Sequence, residues 1–460
     1  MLRSVRAFAR CCSFLACGVV IGRTCIAAVA APSHAESPPV LDLRVVILSS
    51  QSGDTKIDQE IARLQGKIRE GRDANQFIVQ LGWAFVAKAR LTSDPGFYKI
   101  AEQCAQLAGE DSDCLLLRGH IFHALHRFSD AELVARKLAL DSVPRWQTYA
   151  LLGDALMEQG KLSESIDAYQ RMIDIRPCLQ TYARVAHVRW LKGDLAGAEE
   201  LMNKAVSAGN SRDPEPAAWA YSRLAFYQMQ GGKPAATSRS LARAFEFVKD
   251  YPAALFLRAK IDIADEFPAK AVQSLRAAVA QSPLPEYEWA LADASRLAGN
   301  TELAATTESA ILNRGAAEDQ RSFALFLANR NLKSELAVKL AENEISNRRD
   351  VFTYDALAWT ELAAGKKQEA SKDMRHALAE GTVDARLFYH AGKIAVATED
   401  KAEAVQWFLR ASAIQQMLLP SERADLKREM AGVQTSQNAK AVLSPTNPQL
   451  ANQGPTRKLQ

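Results

Sequence analysis

Apolar residues along most of this chain recur every three or four positions, the period of one face of an α-helix. The helical stretches come in pairs. The clearest pair runs from Trp146 to Pro177. Tyr149, Leu152, Gly153 and Leu156 mark its first helix, and Gly160 breaks it. Ser165, Tyr169 and Met172 mark a second apolar face, which Pro177 ends. Gly153 and Ser165 are small, which predicts that the two backbones approach closely. The same frame returns in Tyr182, Ala186, Gly193 and Ala198, then in Tyr221, Ala225, Gly232 and Leu241. It continues through Leu255 and Ala271, Leu291 and Ala304, Leu325 and Ala337, Leu357 and Ala370, and Ala391 and Ala404. Two further units precede Trp146, marked by Leu81, Gly82 and Phe85 and by Leu115, Gly119 and Phe122. The period is about 34 residues. It predicts about ten helix-turn-helix units over 74–417.

The flanks read differently. Residues 36–73 are expected to form a linker and a capping helix. The apolar run Val45 to Leu48 suits a strand or a linker, and Lys56 to Arg72 has helical spacing. A charged helix is expected over 418–432. Residues 433–460 are rich in Gln, Asn, Pro and Ser, the composition of a disordered tail.

The series Trp/Tyr, Leu-Gly, Tyr, Gly, Ala, Phe/Tyr, Ala, Pro, held in phase from unit to unit, resembles the tetratricopeptide repeat family. The opening stretch from Gln80 to Leu107 also resembles the start of exported bacterial members. The resemblance implies an all-α fold, a right-handed α-solenoid in which stacked pairs bury a continuous core. It further implies that the first helix of each unit lines a concave groove. On the groove-facing positions stand Trp83, Trp190, Trp219, Phe226, Phe256, Trp289, Phe326, Trp359 and Tyr389. His120, His123, His187, Asp154, Lys260, Asp293, Arg296, Asp355 and Lys393 share that phase. Aromatic anchors beside mixed charges suit a protein or peptide segment, because rings supply contact area at low entropy cost and charges set register. The expected role is a non-catalytic interaction scaffold. The alternative is an accessory protein that binds a glycan or small ligand, since rings stack on sugars as readily.

Composition narrows the classes. A chain that is 48% hydrophobic and 24% charged is neither disordered nor a polytopic membrane protein. There are 57 Lys and Arg against 53 Asp and Glu, and the excess of four is Arg3, Arg6, Arg10 and Arg23. From Glu36 onward the chain is formally neutral, so nucleic acid is not an expected partner. Those arginines sit in residues 1–35, which lack Asp, Glu and Lys and hold apolar stretches from Cys11 to Ile21 and from Cys25 to Ala31. Ser33-His34-Ala35 places small residues before Glu36. This is the pattern of a cleavable signal peptide and an expected periplasmic or other extracytoplasmic location. A mitochondrial leader and a retained anchor are the alternatives. Cleavage would leave Cys104, Cys114 and Cys178, an odd number, with a bridge between the first two left open. His120, His123 and His126 lie three apart on one helix, but the third is rotated away from the first, so no metal site is expected. No GxSxG, HExxH or Gly-rich phosphate loop is present, so neither catalysis nor a cofactor is expected.

Overall fold

A computed structural model describes residues 43–71, 74–92, 94–209, 214–316 and 319–443. Two short elements open it, α1 (Leu43–Ile47) and α2 (Lys56–Arg69). The segment expected as strand or linker is thus a helical turn. No strand lies beside it among the described residues. Its carbonyl at Ile47 is instead satisfied by Gln65 Nε2 at 2.8 Å. Thr55 and Asp58 cap α2 reciprocally, and Asp58 pairs in the interior with Lys88 at 2.8 Å. Ile61, Leu64 and Ile68 pack on Ile78, Leu81 and Phe85, covering the apolar face that the first unit would otherwise expose.

Ten helix pairs follow: α3 (Ala74–Thr92) and α4 (Gly96–Leu107), α5 (Ser112–Ala124) and α6 (Phe128–Leu138), α7 (Trp146–Glu158) and α8 (Leu162–Ile175), α9 (Leu179–Leu191) and α10 (Leu195–Ser207), α11 (Pro214–Gln230) and α12 (Pro234–Phe247), α13 (Pro252–Ala264) and α14 (Pro268–Gln281), α15 (Pro285–Leu297) and α16 (Thr301–Arg314), α17 (Gln320–Asn329) and α18 (Ser334–Asn347), α19 (Val351–Ala363) and α20 (Lys367–Leu378), α21 (Ala385–Ala397) and α22 (Lys401–Ala413). A 3-10 turn (Gln415–Met417) leads into α23 (Pro420–Leu443). That last helix runs past 432 into the stretch expected to be disordered. Between Gly432 and Pro445 the sequence holds no glycine or proline to stop it.

The small residues sit where the pattern placed them. A Cβ on Gly153 would overlap the Tyr169 ring, and one on Gly392 would overlap Phe408, so each pair of backbones closes onto an aromatic side chain. Ser165 Oγ donates to Gly153 O at 2.8 Å across the same crossing. Alanines 131, 168, 198, 271, 304, 370 and 404 are buried on the second helices, where small volume lets neighbours nest. Fully burying an aromatic such as Phe408 contributes roughly 1.5–3 kcal/mol. The fold is an all-α solenoid.

The array also closes on itself. The turn after α9 meets the connection between α20 and α21. Trp190 Nε1 donates to Val383 O at 2.9 Å, Thr382 Oγ1 to Leu191 O at 2.6 Å, and Lys192 pairs with Glu380 at 2.6 Å. The turn after α7 meets the connection between α18 and α19, where Arg349 N donates to Glu158 O at 2.9 Å. Gly160 and Gly193 hold φ of 74° and 78°, a conformation that favours glycine. A Cβ at either would come 2.6 Å from Arg349 O or 2.7 Å from Gly381 O. These glycines thus serve both the turn and the close approach of the distant chain.

Candidate functional site

Self-closure divides the inner face into two regions. Helices α3, α5, α7, α9 and α11 carry the first, which holds open cavities. One of about 760 Å³ is lined by Asn75, Gln80, Trp83, Asp111, Asp113 and Leu116. A second, of about 530 Å³, is lined by His120, His123, Asp154, Arg184, His187 and Trp219, among others. Trp83 is half-buried and packs on His120 with ring centroids 5.1 Å apart. Trp219 is half-buried as well.

The floor of the second cavity is an ordered polar network. Arg184 grips Asp154 with two nitrogens, Nε at 2.8 Å and Nη2 at 2.8 Å. Tyr169 donates to the same carboxylate at 2.6 Å. Burial opposes ionisation of Asp154, but the Arg184 guanidinium outweighs it and holds the carboxyl below its usual range. Burial lowers His120 to about 4, with His123 adding to the effect. Burial lowers His187 to about 3, reinforced by Arg223, whose Nη2 lies 3.2 Å from His187 Nδ1. That contact needs an unprotonated Nδ1. Arg184, Tyr169 and Arg223 were not on the groove-facing positions read from the sequence. A carboxylate and a guanidinium near one phase in consecutive units, as at Asp154 and Arg184, was the signal available.

The remaining expected groove residues are mostly closed in. Trp190 is 3% exposed, Trp289 2% and Phe326 2%; Phe256, Trp359 and Tyr389 are also buried. They are core, and the expectation of a continuous open aromatic groove is corrected for the second region and for Trp190, on α9 of the first. Trp190 meets Phe226 edge-on at 5.1 Å and stacks on Phe352 at 5.4 Å, so the far side of the superhelix covers it. Trp289 meets Phe326 at 5.8 Å, and Trp359 stacks on His390 at 3.9 Å. The charged positions are engaged too. Asp355 lies 2.7 Å from His390 Nδ1. Arg296 is exposed and reaches Glu308 at 2.9 Å.

The chain's own C-terminal segment fills much of this second region. Lys260 Nζ donates to Met417 O at 2.6 Å. Asp293 accepts from Ser421 Oγ at 2.5 Å and also pairs with Arg330. Tyr389 donates to Asp425 at 2.8 Å, and Lys393 pairs with Asp425 at 2.9 Å and Glu429 at 2.5 Å. Arg386 meets Glu422 at 3.2 Å.

Among the described residues no group of three His, Cys, Asp or Glu side chains is arranged to hold a metal. His126 takes a left-handed turn conformation at φ 59° and stacks on Phe128, away from His120. Cys104 and Cys114 are free and buried, and Cys114 Sγ donates to Gly109 O at 2.9 Å. No helix among the described residues is long and apolar enough to cross a membrane.

A comparison with curated proteins finds no match. Solved structures that match part of this chain include yeast Tom70, 14% identical over 85% of this chain and 94% of that one, with a TM-score of 0.36. A human IFIT1 dimer with PPP-AAAA is 13% identical over 81% and 94%, with a TM-score of 0.44. A tetratricopeptide repeat protein from Parabacteroides merdae is 19% identical over 55% and 98%, with a TM-score of 0.30. The tetratricopeptide repeat family itself matches residues 116–177 and 356–416, which fall on α5 to α8 and on α19 to α22. Those matches fall on the second and third and on the ninth and tenth helix pairs, so the chain carries tetratricopeptide repeats.

Proposed function

We propose that the protein is an extracytoplasmic interaction scaffold that holds a partner segment on the open inner face of α3 to α11. Arrays of this family are in general protein-interaction scaffolds and non-catalytic. The observation that carries the reading is the division of the inner face. Two half-buried tryptophans, Trp83 and Trp219, stand over cavities in the first region, while the second is already occupied by the chain itself. Trp83 and Trp219 offer apolar anchors. Arg90, at the cavity rim, and the Asp154–Arg184 pair supply charge for register. The segment that fits is extended, with bulky apolar side chains set among polar ones.

The leader pattern of residues 1–35, which lie outside the described residues, supports an envelope or other extracytoplasmic setting. N-terminal sequencing of the mature protein from that fraction tests it, with Glu36 as the expected first residue. The partner test is affinity capture from the same fraction with wild type, Trp83→Ala and Trp219→Ala. A partner whose recovery falls about tenfold in each variant, roughly 1.4 kcal/mol, supports groove recognition. Equal recovery by all three proteins contradicts it.

A further inference from the structure

Beside Trp219 lies a third, partly open chamber, lined by helices from both halves of the superhelix. It has a volume of about 500 Å³, within the usual range for small-molecule sites. His187, Trp219 and Arg223 line both this chamber and the open cavity, so the two adjoin along those side chains. The chamber is rich in charge, and most of that charge is matched. Arg321 pairs with Asp350 at 3.1 Å, Arg348 with Glu158 at 2.6 Å, and Arg386 with Glu422 at 3.2 Å. Asp384 caps α21 and accepts from Gln230 at 3.0 Å.

Two cations in the wall are not matched. Among the described residues, neither Arg223 nor Lys260 has a carboxylate within ion-pair distance. Arg223 reaches only His187 and, at 3.3 Å, the Tyr227 hydroxyl. Lys260 is 7% exposed and bonds to one main-chain carbonyl, that of Met417. Both cations also lie over ring faces, Arg223 at 4.8 Å from the Phe226 centroid and Lys260 at 4.8 Å from that of Phe256. Arg223 is half-buried, whereas Lys260 is buried without a directly paired counter-ion, which is costly. The neighbouring wall is apolar, with Phe226, Phe256 and Tyr287 facing the same space.

We infer that this chamber binds a small amphiphilic organic anion, its carboxylate or phosphate head held between Arg223 and Lys260 and its apolar body against Phe226, Phe256 and Tyr287. The ammonium of Lys260 fits that role. Burial, with Arg386 adding to it, lowers it to about 8 against the opposing pull of Glu286, Glu422 and Asp384. At neutral pH Lys260 is thus still mainly protonated, and a bound anion would hold it so. The site adjoins the partner face at Trp219 and Arg223 but needs neither Trp83 nor the cavity beside it.

Isothermal titration of the full chain with octanoate and with monooctyl phosphate tests the inference, because the probes share a tail and differ in the head. Binding in the millimolar range or tighter is expected, and the tighter probe identifies the head group. Arg223→Gln and Lys260→Met are each expected to weaken it at least tenfold. Lys260→Arg, which keeps the charge, is expected to retain it, and Trp83→Ala to leave it unchanged. If Lys260→Met fails to fold, Arg223→Gln decides alone. Absence of binding by both probes overturns the inference, as does equal binding by wild type and the folded charge-removing variants.

Discussion

Replacing Glu422 by Gln tests how firmly the C-terminal segment is held against the inner face. The Glu422 side chain is fully buried, accepts from Leu419 N at 2.9 Å and lies 3.2 Å from Arg386 Nε. Burial opposes its ionisation, but Arg386 prevails and holds the carboxyl below its usual range. Glutamine keeps the volume and removes the charge. Arg386 is then left with Glu286 at 3.9 Å, and Glu286 is itself partly exposed. Removing one partner of a buried pair costs about 3–5 kcal/mol. At roughly 1.4 kcal/mol per tenfold change, that is a rise of between one hundred and a few thousand fold in local opening. The array contacts itself mainly through neighbours, so the loss should concentrate in α21, α22 and α23. Hydrogen exchange resolved by peptide is the assay, with α5 to α8 as the internal reference. The sign with pH follows from the lowered folded value. Stabilisation by Glu422 is complete above about 4.5 and is lost as pH falls through the folded value, so Glu422→Gln should flatten that acid limb. A change below about fivefold in the exchange of α21 to α23 would refute the view that this pair anchors the segment.

Three further outcomes follow from the same geometry. Gly193→Ala should destabilise more than Gly365→Ala in thermal melts, although both glycines have φ near 80°, because only Gly193 faces a distant backbone; equal losses would mean that the closure contact contributes nothing beyond the roughly 1–2 kcal/mol of left-handed strain. His120 and His187 are held at about 4 and about 3, below an unfolded value near 6.5. The unfolded chain therefore binds more protons on acidification, and stability should fall as pH drops from 6.5 to 4. Denaturant titrations at pH 7 and 5 should show a smaller loss in His187→Gln than in wild type. Of Cys104, Cys114 and Cys178, only Cys178 should react readily with a thiol reagent in the folded protein. Burial pushes the Cys104 thiol up to about 12 and also raises Cys114.

The repeat was legible because its constraints are local. Gly153 opposite Ser165 and Tyr169, or Gly392 opposite Phe408, is a packing rule that acts within one helix pair and leaves its mark at fixed spacing. The inner face was legible only as a phase. Trp190, Trp289 and Trp359 occupy the same register as Trp83 and Trp219, yet the first three are buried and the last two are half-open. What separates them is non-local. The superhelix brings Val383 to Trp190 and Met417 to Lys260, partners 193 and 157 residues apart. No period of about 34 residues encodes that distance. The helical turn at Leu43–Ile47 was missed for a related reason, since its anchor, Gln65, lies in the next helix.

The division of the inner face can be read directly by oxidative footprinting of tryptophan in the intact protein. The account predicts that Trp83 and Trp219 are modified readily, while Trp190, Trp289 and Trp359 are protected until the chain unfolds. Comparable modification of all five rings under native conditions would contradict it, because the closure contact over Trp190 and the packing of the second region would then be open.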